Sequence, residues 1–132
     1  MPIEYRIVHE SRLVIGKGHG ILTDQDVFGY QRDVWSRPEV AGYNELVDMT
    51  EVESIALPST ERVRALASLS ADMDDPSKTS RFAIVAPTEF VFGLGRLYEI
   101  LRSLNGPRTK EVKTFRSLDE AKAFLDISGT LP

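Results

Sequence analysis

The 132-residue sequence contains no cysteine, and that single absence excludes disulfides, zinc–thiolate sites and thiol catalysis together. It also lacks an excess of positive charge. Sixteen Lys and Arg are interspersed with twenty Asp and Glu, for a net charge of -4, so no basic stripe is available to follow a nucleic-acid backbone. Long apolar runs are missing too. Nothing approaches the roughly 18 residues of a membrane span, and the opening "MPIEYRIVHE" has no apolar run of the kind a signal peptide carries. These absences predict a cytoplasmic protein that binds neither DNA nor RNA and has no membrane span.

Groups that perform chemistry are sparse. The two histidines, His9 and His19, fall in a hairpin turn and far along the strand after it. About seven strand residues at ~3.3 Å each separate them, over roughly 20 Å, so they do not share a metal. No serine stands in a Gly-x-Ser-x-Gly elbow. The segment "DMDDPSK", with Asp72, Asp74 and Asp75, lacks the glycine and closing glutamate of a calcium loop and reads as a solvated helix end. The expectation is a protein with no catalytic residues, no metal and no cofactor, hence not an enzyme.

What is present is a strong pattern of secondary structure. With 42% apolar residues, 1–132 is long enough for one domain with one core. Ile3, Tyr5 and Ile7 alternate with polar neighbours, as do Leu13 and Ile15 beyond "HESR", which predicts a β-hairpin. In "VIGKGHGILTDQD" the alternation continues, so Gly16, Gly18 and Gly20 fall on one strand face with Val14 and Leu22 and form a shallow trough for close packing. A phosphate loop would instead need its glycines in a turn, and the Walker spacing is absent. Thr23 caps a helix through Trp35, with Val27, Tyr30, Gln31, Val34 and Trp35 inward. Pro38 and Gly42 then break it.

"NELVDM" predicts a short third strand and "TEVESIAL" irregular chain. "PSTERVRALASLSADM" predicts a helix capped by Ser59 or Thr60, with Val63, Leu66, Ala67, Ser70 and Met73 inward. "RFAIVA" is a strand buried on both faces. The longest helix follows, with Phe90, Leu94, Leu97, Tyr98, Leu101 and Leu104 as its stripe, ended by Gly106 and Pro107. "KEVKTF" is a last strand, and Ser117-x-x-Glu120 opens a last helix with a capping box. The order ββαβαβαβα implies a layered α/β domain with right-handed crossovers.

Five positions invite a functional reading. Asp48 ends the third strand at the edge where open α/β sheets bind ligands. It serves equally as a loop carboxylate accepting backbone amides. Gly93 and Gly95 each cost a helix about 1 kcal/mol relative to alanine, which close packing, a subunit contact or space for an apolar molecule would offset. Phe92 and Ile100 lie off the main stripe and, if exposed, mark a partner surface.

The element order, "ELVDMTEV", "RFAIVAPTEFVFGLGRLYEIL" and "VKTFRSLDEAKAFL" together resemble the SpoIIAA-like proteins of the STAS (sulphate transporter and anti-sigma-factor antagonist) fold, over nearly the whole chain. The resemblance implies a mixed β-sheet with an N-terminal hairpin and four helices, and a bacterial, non-catalytic regulatory module that binds a protein partner or itself, as a homodimer for example. In anti-sigma-factor antagonists an aspartate resembling Asp48 is followed by an Asp-Ser-Ser/Thr-Gly turn whose serine is phosphorylated. The turn here reads "IALPSTERV". Ser59 and Thr60 fall in the matching region, without the preceding aspartate or the following glycine. The alternative implied by similarity to the Sec14 fold is a binder or sensor of a small apolar, lipid-like ligand, with a pocket lined by Phe90, Leu94, Leu97 and Tyr98. Exposed Phe92 and Ile100 would favour a partner, and an enclosed cavity of several hundred Å3 a ligand.

Overall fold

In a computed structural model, which describes residues 2–56, 59–105 and 109–132, the elements run β1 (Ile3–Val8), β2 (Leu13–Thr23), α1 (Asp24–Trp35), β3 (Asn44–Ala56), α2 (Thr60–Asp72), β4 (Ser80–Val85), α3 (Glu89–Ser103), β5 (Lys110–Phe115) and α4 (Leu118–Phe124). The β1–β2 hairpin closes through a 3-10 turn at His9–Ser11, with Arg12 in the left-handed region. Thr23 ends β2 and caps α1. Its hydroxyl accepts the Asp26 amide at 3.1 Å while the Asp26 carboxylate accepts the Thr23 amide at 2.7 Å, which satisfies two donors at once. Ser117 likewise accepts the Glu120 amide at the start of α4.

The sheet order is β1-β2-β3-β4-β5, with β1 antiparallel to β2 and every later pair parallel. Three crossovers step in one direction, and because such connections share one hand their helices collect on one face. There Val27, Val63 and Val91 pack with Val47 and Ile84. The other face is covered by α4, whose Ala121 and Leu125 sit on Leu46, Ala83 and Val85. That leaves Glu4, Lys17, His19 and Glu51 open to solvent beside it.

Four expectations need correction. The third strand does not stop at Met49 but runs to Ala56; its register against β2 shifts twice, between Lys17 and His19 and between Gly20 and Ile21. Such bulges break a period of two, which is why "TEVESIA" reads as irregular. The trough is two glycines long rather than three. A Cβ on Gly16 would lie 3.3 Å from the Tyr30 ring and one on Gly18 2.7 Å from Val52 Cγ2, whereas Gly20 sits at φ +65 beside a bulge.

The inward stripe of α3 is rotated relative to expectation. Val91, Gly95, Tyr98, Leu101 and Arg102 are buried, while Phe90 and Leu104 are 56% and 71% exposed. Finally, Ser59 holds the N-cap position of α2 with extended backbone, but its side chain makes no capping hydrogen bond. The expected stop at Gly106 and Pro107 lies outside the described residues.

Candidate functional site

Between the sheet and its three-helix layer runs a chain of buried polar groups. Glu45, on the inward face of β3, is 2% exposed. It accepts the Tyr30 hydroxyl at 2.7 Å and pairs with Lys110 Nζ, from the first residue of β5, at 3.4 Å. The same ammonium lies 3.4 Å from the centroid of the Trp35 ring. Burial lowers the Lys110 pKa against the opposing pull of Glu45, and burial next to Glu45 holds the Tyr30 hydroxyl well above its ordinary value. A second pair, Arg102 and Asp74, is bidentate at 2.7 and 3.0 Å with both side chains nearly closed off. Tyr98 bridges it to α2 through Ser70 Oγ at 2.7 Å.

Asp74 is therefore an interior ion-pair partner rather than part of a solvated helix end. Sequence reasoning missed these pairs. The one available signal was a glutamate at an inward position of an apolar strand.

Alongside the network lies an apolar slot of about 90 Å3, lined by Ile3, Val47, Val63, Phe82, Ile84 and Val91 among others, with Glu45 and Tyr98 among its lining residues. Met49, Ile55, Leu66 and Leu94 line it too and retain some exposure, which places its mouth beside the outer half of β3 and the N-terminal halves of α2 and α3. Of the four residues expected to line a pocket, Leu94 and Tyr98 do. Leu97 packs at the edge of the core, and Phe90 points outward. Phe92 is half-buried beneath the Arg116 guanidinium, 4.1 Å from its centroid.

Asp48 Oδ1 accepts both the amide and the hydroxyl of Thr50, at 2.9 and 2.5 Å. Its geometry is that of a carboxylate tying down the chain at a bulge. Thr60 begins α2 and, with Ser59, is exposed at the carboxyl edge of the sheet. The histidines are separately engaged: His9 Nδ1 meets the Tyr43 hydroxyl at 2.9 Å, and His19 lies 3.3 Å from Glu51 and 3.7 Å from Glu4. Among the described residues no three His, Asp or Glu side chains form a group suited to a metal ion, and no helix is long and apolar enough to cross a membrane.

This arrangement of strands and helices matches the crystal structure of an uncharacterized protein from the DUF3478 family, described as having a SpoIIAA-like fold, from Shewanella loihica PV-4, with a TM-score of 0.58 over 93% of each chain at 18% identity. The chain has a SpoIIAA-like fold. No protein-family model and no curated protein matches the sequence. The SpoIIAA-like fold is shared with anti-sigma-factor antagonists. Asp48 does not end its strand: it is the fifth of the thirteen residues of β3, whereas Ser59 and Thr60 follow that strand's far end. The outward row of α3 adds a feature that the fold does not require. Phe90, Gly93, Leu97, Ile100 and Leu104 fall on one flank, with Ile100 52% exposed and open space around any Cβ built on Gly93.

Proposed function

We propose that the chain is a non-catalytic protein-interaction module whose contact face is the outward row of α3, continuing to the neighbouring start of α2. The observation that carries this reading is the exposure of Phe90, Ile100 and Leu104 at 56, 52 and 71%. Apolar side chains gathered on one flank of a helix, rather than scattered singly, are the pattern of a contact surface. The 90 Å3 slot falls well short of a lipid-sized cavity, which weighs against the lipid-carrier alternative. Ser59 and Thr60 flank the row at the carboxyl edge, where α2 and α3 both begin, so the face includes them without requiring their phosphorylation.

The test is affinity capture from the source cells with the wild-type chain and with Phe90→Glu and Leu104→Glu. Both positions are exposed, so the variants should melt with the parent while losing a specific captured protein, or losing self-association by native mass spectrometry. Unchanged capture and subunit number in both would remove this face from consideration.

A further inference from the structure

The interaction reading leaves the apolar slot unused. We propose that it is a binding site for a compact, uncharged apolar molecule, reached from the carboxyl edge of the sheet between β3, α2 and α3. Native interiors leave few voids larger than a water molecule, yet this one opens between two helix starts, where α/β sheets take up ligands. The polar groups at its inner end are already partnered: Tyr30 with Glu45, and Tyr98 with Ser70. An entering ion would lose its water and find no free countercharge. The Gln31 amide also lines the slot, with its Nε2 turned to Met73 Sδ at 3.6 Å; the rest of the lining is apolar, so a ligand gains chiefly by leaving water.

Size narrows the class. An engineered cavity of roughly 150 Å3 in another protein takes up benzene or xenon and otherwise stays dry. The slot here, at about 90 Å3, therefore suits a body between a xenon atom and a single ring, the larger ones admitted by rotation of Met49, whose unbranched thioether adapts readily. Fatty-acyl chains are excluded by length and by their carboxylate.

The experiment uses the full chain with 13C-labelled methyl groups, titrated with xenon and with benzene. Saturable shifts are expected at the methyls of Val63, Leu66, Ile84, Val91 and Leu94, with a Kd near 1 mM or tighter for at least one probe, and weakened tenfold or more by Leu94→Phe, which fills the slot. If Leu94→Phe fails to fold, Leu66→Phe serves the same purpose from the α2 side. Shifts that do not saturate, that centre on Ile100 and Leu104, or that persist unchanged in a folded, filled variant would overturn the proposal. Phe90→Glu should leave benzene binding within twofold of the parent, so failure here is distinct from failure of the interaction face.

Discussion

Thr23 and Ser59 stand at the same N-cap position of successive helices, yet only Thr23 accepts a backbone amide through its side chain. Thr23→Ala is therefore expected to cost about 1 kcal/mol, and Ser59→Ala less than about 0.5 kcal/mol, as for a surface substitution without a lost partner. Urea midpoints for the two variants check this, and a comparable loss at both positions would show that the Ser59 hydroxyl caps in solution. The buried pair is the opposite case, because removing one partner strands the other. Lys110→Met should cost roughly 3–5 kcal/mol, while a paired Glu45→Leu/Lys110→Met change should recover part of it, the remainder being the Tyr30 hydroxyl left without its acceptor.

The pair also sets a pH dependence with two signs. Tyr30 is shifted upward, so its contribution is complete below about pH 10 and is lost as the pH rises beyond. Lys110 is shifted downward from 10.5. The folded chain releases that proton first, and stability gains as the pH approaches 10.5 from below. Equilibrium unfolding from pH 7 to 11 should show a gain followed by a fall. Lys110→Met should remove the gain and Tyr30→Phe should soften the fall.

At the scale of elements, the two glycines of α3 have opposite environments within one turn. A Cβ on Gly95 would sit 2.7 Å from Thr114 Cγ2, on a stiff side chain of β5, whereas nothing lies within 4 Å of one on Gly93. Gly95→Ala should destabilise, and Gly93→Ala should stabilise by up to about 1 kcal/mol through helix propensity. Thermal melts of the pair would contradict this account if the two changes moved stability in the same direction. Gly18→Val in β2, pressed against Val52, should cost about 1–3 kcal/mol.

These same residues explain what could be read before the structure was known. Element order and type were legible because alternation and helical spacing persist along most of the chain. The facing of α3 was not, because it turns a glycine and an arginine inward, and apolar patterning alone points to Phe90 and Leu104 instead. The outer half of β3 was hidden by its bulges. The interior ion pairs were invisible because their partners stand 65 and 28 residues apart, and nothing local announces such a pairing. Of the residues named beforehand for a site, Leu94 and Tyr98 line the slot, while Asp48 lies inside β3 and Ser59 and Thr60 at the start of α2.

For the whole molecule, the scarcity of metal-ligating groups predicts that melts with and without a strong chelator superimpose, and a drop of several degrees on chelation would reveal a bound ion. The strand order carries a consequence of its own. Because position along the chain and position across the sheet rise together, a single cut after Asp74, in the loop between α2 and β4, would divide the protein into two unbroken slabs, each keeping its own strands adjacent. The strand pairing across the seam is short, with β3 meeting β4 only from Glu45 to Asp48 while β2 follows β3 from Asn44 to Ala56, and the rest of the seam is the shared core of Val47 and Val63 with Ile84 and Val91. The interior ion pairs, Glu45 with Lys110 and Asp74 with Arg102, both cross that seam and would act as its rivets. Two separately produced halves should therefore find each other and reassemble, and should do so poorly when either rivet is removed.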